Sequence, residues 1–143
     1  MQVKDLLATK GRDVATISQG RPLADALRAL RERGIGALVV TGASAPLVGI
    51  FSERDAVRAI AVHGGEALAM SVADFMSSDV ATCTESTTID SLMAMMTERR
   101  IRHVPVVDDA ILVGLVSIGD VVKHRVDELE NEKRELIEYV SAR

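Results

Sequence analysis

Two serine–aspartate pairs carry the most suggestive chemistry in this chain. Ser52-Glu53-Arg54-Asp55 and Ser117-Ile118-Gly119-Asp120 each set a hydroxyl and a carboxylate three residues apart. Each follows an apolar run of strand type and precedes an amphipathic segment, so each marks a strand-to-helix junction. At such a junction a serine N-cap with an acid at N3 satisfies N–H groups that the helix leaves unpaired, and the acid sits at the positive end of the helix dipole. The same carboxylate can accept two hydrogen bonds from a ribose diol, while the serine hydroxyl and the helix N-terminus face phosphate. An acid holding ribose hydroxyls also rejects a 2′-phosphate by charge. Capping and binding are compatible.

The elements that must position these pairs follow from an internal repeat. Val14-Ala15-Thr16-Ile17 is echoed by Val80-Ala81-Thr82-Cys83, and Ile35 before Leu38-Val39-Val40 by Ile101 before Val104-Pro105-Val106, both at an offset of 66. Gly49-Ile50-Phe51-Ser52 then matches Gly114-Leu115-Val116-Ser117 at an offset of 65, a one-residue slip absorbed in a turn. Each half begins with a short β-rich run, 14–17 and 80–83. Apolar residues at helical spacing follow: Leu23, Ala26, Leu27 and Leu30, then Ile89, Leu92, Met93 and Met96. Pro22 suits the first turn of one helix, Gly34 its end, and Thr87 or Thr88 the N-cap of the other. Paired apolar runs, 36–41 with 46–52 and 102–107 with 111–117, predict hairpins, and a helix follows each, from Asp55 to about His63 and from Asp120 to about Val140. The order is β-α-β-β-α twice, an α/β (α+β) chain whose two small sheets are expected to pack on each other. His63-Gly64-Gly65-Glu66 reads as the connector.

Composition narrows the function classes. Forty-eight per cent hydrophobic residues in 143 describe a folded globule, and only Phe51, Phe75 and Tyr139 are aromatic, so no base-stacking platform exists for single-stranded nucleic acid. A net charge of −4 with dispersed basic residues disfavours duplex nucleic acid and anionic membranes. No apolar run approaches the ~20 residues of a membrane helix. One cysteine, Cys83, forms no intramolecular disulfide, and the first residues lack a signal-peptide layout, so a reducing cytoplasm is expected. Gly34-Ile35-Gly36 enters a strand rather than a helix and is not a dinucleotide loop. Cys83 has no base near it in sequence, His63, His103 and His124 share no ligand spacing, and Asp55 and Asp120 belong to different halves. Neither catalysis nor a metal is expected.

The order Val-x-Asp-Leu/Phe at 3–6 and 72–75, Val-Ala-Thr, apolar helix, Val-rich strand and Gly-h-h-Ser-x-x-Asp (h, apolar), with Ile101-Arg102-His103-Val104-Pro105-Val106-Val107-Asp108, resembles the cystathionine-β-synthase (CBS) repeat, and most of all stand-alone bacterial proteins with two such repeats. The resemblance implies one module over 1–143: a first repeat at 3–63, a connector at 64–71, a second repeat at 72–125 and a helical extension at 126–143. It implies two clefts that bind AMP, ADP, ATP, sometimes NAD or S-adenosylmethionine. By position the first cleft would use Val14, Ala15, Ile35, Gly36, Ala37, Ser52, Arg54 and Asp55. The second would use Val80, Ala81, Ile101, Arg102, His103, Ser117 and Asp120. The nucleotide is a regulatory ligand rather than a catalytic cofactor, and an effector protein would respond in trans.

The halves differ where it matters. Arg54 precedes the first Asp where the second has Gly119, and Gly36-Ala37 matches Arg102-His103, so the clefts are expected to be inequivalent, with phosphate expected near Asp55. Val122, Val126, Leu129, Leu136 and Val140 make the last helix heptad-like, either lying on its own domain or forming the seam of a homodimer. A structural dimer with empty clefts is the alternative to a nucleotide sensor.

Overall fold

The structure, a computed structural model, describes residues 1–142; the last position of the expected extension, Arg143, lies outside them. The elements are α1 (Val3–Lys10), β1 (Thr16–Ser18), α2 (Leu23–Arg33), β2 (Ala37–Thr41), β3 (Gly49–Ser52), α3 (Glu53–His63), α4 (Ile89–Arg99), β4 (His103–Asp108), β5 (Ile111–Ser117) and α5 (Ile118–Ser141). Pro22 precedes α2, which ends at Gly34 in the left-handed region (φ 62°). Thr88 caps α4 through its side chain, and Arg100 occupies the corresponding left-handed end (φ 54°). The connector is ordered: after Gly64 closes α3, residues Gly64–Ala69 form a 3-10 turn.

The first sheet has the order β1-β2-β3, parallel then antiparallel. The second differs from expectation. It pairs only β4 with β5, and the run 80–83 contributes a single parallel bridge, Cys83 to Val106. Proline is the reason. In the first half the Val39 amide donates to the Ala15 carbonyl at 3.0 Å. Its counterpart at the 66-residue offset is Pro105, which has no N–H, so no strand bond reaches Ala81 and the ladder shortens to Cys83.

Two hydrophobic cores form, and each takes in the opening segment of the other half. Val3, Leu6 and Leu7, at the i, i+3, i+4 spacing of α1, pack with Cys83, Ile89, Leu92, Met96, Val104, Val106, Val116 and Val121. Val72 and the neighbouring Phe75 and Met76 pack with Leu23, Ala26, Leu38, Val40 and Phe51. Backbone bonds fasten the exchange: Val3 N to Thr87 O at 2.8 Å and Lys4 N to Glu85 O at 2.9 Å in one direction, Val72 N to Arg21 O and Ala73 N to Gln19 O, both at 2.9 Å, in the other. Small residues make room where these segments cross the hairpins. A β-carbon on Gly114 would meet Leu7 Cδ2 at 2.7 Å, and one on Gly49 would meet Met76 Sδ at 2.7 Å.

Candidate functional site

The Ser-x-x-Asp pairs are capping boxes first. Ser52 N donates to Asp55 Oδ2 at 2.9 Å, Ser52 Oγ donates to the same oxygen at 3.1 Å, and Asp55 N donates back to Oγ. Asp55 is 6% exposed, and among the described residues no donor reaches its other oxygen, Oδ1. Asp120 repeats the pattern, with Ser117 N at 2.8 Å and Oγ at 2.9 Å from Oδ2. One partner is added. Lys10 Nζ, at the end of α1, lies 2.6 Å from Asp120 Oδ2 and also donates to the Leu115 carbonyl. Burial pushes the Asp120 carboxyl up, but the Lys10 and Ser117 hydrogen bonds outweigh it and hold the group below its ordinary 3.8.

A cleft of about 700 Å³ opens between the halves, and its lining crosses the repeat boundary. From the first half it takes Gly36, Ser52, Arg54 and Asp55; from the second, Val80, Ala81, Ile101, Arg102, His103 and Ser117. Val14, Ala15, Ile35, Ala37 and Asp120 do not line it. Of these, Ala37 is buried in β2. The lining of this cleft thus mixes residues expected from the two repeats: the carboxylate of the first half faces the opening segment of the second. The exchange of opening segments accounts for this, because it carries Ser77 into a backbone bridge with Ile50 and so sets the chain through Val80 beside α3.

Residues that sequence reasoning passed over complete the wall. Arg58, Arg99 and Arg100 join Arg54 and Arg102, with Glu53, Asp79 and Asp55 opposing. Five guanidiniums meet three carboxylates in a chain of net charge −4. Among the described residues, no side-chain hydrogen bond or ion pair engages any of the five arginines. Arg58 stands one helical turn beyond Arg54, and Arg99-Arg100 adjoin Ile101-Arg102-His103, so adjacency to the named residues was the available signal. A smaller hollow of about 290 Å³ adjoins the cleft and shares Arg54, Arg100, Arg102, Ile101 and Ile118 with it.

His103 lies against the other half: a β-carbon on Gly36 would sit 3.3 Å from its Cε1. Burial lowers its pKa below the ordinary 6.5 and the Lys10 charge lowers it further, against the opposing charges of Asp120 and Glu53. The imidazole is thus neutral at pH 7 and can donate or accept at the cleft wall. Cys83 is a core residue whose thiol is pushed up to about 11 by burial, which removes it as a nucleophile at neutral pH. Among the described residues no group of three or more His, Cys, Asp or Glu side chains could hold a metal ion, and no helix is long and apolar enough to cross a membrane.

These features coincide with similarity to known proteins. A CBS-domain containing protein from Agrobacterium tumefaciens is 47% identical and superposes with a TM-score of 0.84, the match covering 87% of this chain and 92% of that one. A CBS domain pair solved in complex with 5-methylthioadenosine and S-adenosyl-L-methionine is 27% identical with a TM-score of 0.76, over 86% of this chain and 98% of the other. A mitochondrial CBS domain-containing protein of Arabidopsis thaliana is 39% identical over 120 residues, which are 81% of this chain and 58% of that protein. This chain thus matches little more than half the length of that curated relative. The profile of the CBS domain matches twice, over residues 3–62 and 72–127, the two segments whose Ser-x-x-Asp junctions frame the cleft, and the chain belongs to the CBS domain family.

Proposed function

We propose that the cleft binds an adenine nucleotide carrying two or more phosphates, and that its occupancy is the signal this protein transmits. CBS pairs as a class are regulatory nucleotide-binding modules. The observation that carries the finer reading is the set of five unpaired arginines around the cleft that also holds Asp55. Asp55 Oδ1 is the acceptor for a ribose diol, and the Ala81 carbonyl, left without a strand donor by Pro105, is an acceptor for an exocyclic amine of the base. Arg54 and Arg102, together with Arg100 in the adjoining hollow, are placed for successive phosphates, which a planar guanidinium pairs bidentately. ATP, ADP and NAD suit this charge. The sulfonium cation of S-adenosylmethionine does not.

Calorimetric titration with ATP, ADP, AMP, NAD and S-adenosylmethionine is the test. ATP or ADP is expected to bind at least about tenfold more tightly than S-adenosylmethionine, and Arg102→Ala to weaken ATP about 10–100-fold, the range of one charge-assisted contact. Tighter binding of S-adenosylmethionine than of ATP would refute the charge argument. Silence from all five ligands would leave a structural dimerisation module with empty clefts.

A ligand shifts a conformational equilibrium only by its differential affinity for the two states, and the cleft supplies it by spanning both repeats. An effector protein in trans reads the change, and the transmitting unit is a homodimer. On α5 the residues Val122, Val126, Leu129, Leu136 and Val140 form an exposed apolar stripe, and Val57 and Val62 on α3 are exposed as well. Light scattering is expected to give twice the chain mass, 15.3 kDa, for the native protein and the chain mass for Leu129→Glu/Leu136→Glu. An unchanged mass in the double variant would place the seam elsewhere.

A further inference from the structure

The two Ser-x-x-Asp pairs share their serine and aspartate and are unequal in structure, and the first inequality traces to one residue. Among the described residues both carboxylates keep Oδ1 free of protein donors, but Asp120 Oδ2 carries the Lys10 ammonium at 2.6 Å, which also donates to the Leu115 carbonyl, and no cation reaches Asp55. Lys10 ends the opening helix of the first repeat, which packs on the second; on the Val-x-Asp-Leu/Phe alignment (3–6 with 72–75, an offset of 69) its counterpart is Asp79, just after the segment that packs on the first. An aspartate cannot satisfy another carboxylate. Met76 rests over Gly49 as Leu7 rests over Gly114, so the two segments pack alike and differ in the residue that follows them. A second asymmetry points the same way, because the Ala15 carbonyl is engaged by Val39 while the Ala81 carbonyl is not engaged by Pro105.

We propose that Lys10 is an internal latch: its ammonium occupies the ribose-recognition carboxylate of the second Ser-x-x-Asp site, so that one nucleotide binds per chain, and releasing it exposes a second site at Asp120. The latch deepens the nucleotide reading of the cleft and rests on it. The lysine is a stand-in for the ligand. A positive charge on Asp120 Oδ2 draws on the carboxylate that a diol would otherwise engage, and the ammonium stands beside the oxygen a sugar would approach. A ligand richer in phosphate, or a segment of a partner carrying a carboxylate for Lys10, would open the latch by giving the ammonium another anion.

Lys10→Met decides the matter, with Lys10→Gln as a second variant should methionine perturb α1, and Lys10→Arg as the variant that keeps the charge. Calorimetric titration with ATP is expected to give one site per chain in the native protein and in Lys10→Arg, and two in Lys10→Met. Adding Asp120→Asn to Lys10→Met is expected to return the count to one. One site in both Lys10→Met and Lys10→Gln, or two in the native protein, would overturn the latch and leave the nucleotide reading standing. No binding by the native protein with one site in Lys10→Met would retain the latch and overturn the assignment of the open cleft. No binding by either protein would overturn both.

Discussion

Asp55→Asn is expected to weaken ATP binding about 10–100-fold, and Asp120→Asn to leave it within about twofold. Asparagine keeps one acceptor oxygen, and the cap requires it: Ser52 N and Oγ both donate to Asp55 Oδ2. The position of Oδ1, where a diol would be received, then carries an NH₂ donor. The helix keeps its cap while the sugar loses its acceptor, so binding and stability separate. Asparagine is not a neutral choice for the dipole, since a carboxylate in the first turn contributes about 0.3–1 kcal/mol, but that lies within what a melting curve can measure and subtract. Titration calorimetry beside thermal unfolding of both variants tests this. Equal loss of affinity in the two would mean that both carboxylates bind, and loss in neither would reduce the Ser-x-x-Asp pairs to caps.

Gly49→Ala is expected to destabilise the fold by about 1–3 kcal/mol, the range for an added methyl in a filled site. Its β-carbon would fall 2.7 Å from Met76 Sδ and 2.8 Å from the Ser77 carbonyl oxygen. Met76 can turn aside. Ser77 cannot, because its N–H and C=O both pair with Ile50, at 2.8 and 2.9 Å. The clash therefore loosens the segment that leads into Val80 and Ala81, and nucleotide affinity should fall along with the melting temperature. Gly114→Ala is milder, since only the Leu7 side chain stands in the way, and Gly20→Ala has nothing within 4 Å and should be nearly neutral. The order Gly49, Gly114, Gly20 in chemical denaturation is the checkable result; a Gly49→Ala protein as stable as the native one would mean that the exchanged segment is not held as the structure places it.

Local structure was legible because local interactions decide it. Thr88 before Ile89 and Gly34 after Arg33 bound their helices through hydrogen bonds reaching three or four residues, and the Ser-x-x-Asp boxes close within one turn. The hairpins followed from two apolar runs and a short turn. The missing strand at 80–83 was harder. Pro105 is plain in the sequence, but its effect depends on which side of β4 its absent N–H would have faced, and that is a matter of register. The helix α1 was passed over because its motif, Val3-Lys4-Asp5-Leu6, is short and owes its burial to the opposite half.

By itself the sequence determined the repeat, the order of elements, the capping carboxylates and the inequality of the halves, since each is fixed by residues close in the chain or by comparison of one copy with the other. Which carboxylate faces which opening segment was decided only by the tertiary structure. Exchange of the opening segments sets Asp55 beside Ala81 and lays Lys10 on Asp120, contacts between residues 26 and 110 positions apart. Such contacts are selected by the burial of Leu7 and Val72 in the far cores, a free energy that depends on area removed from water and leaves no periodic mark along the chain.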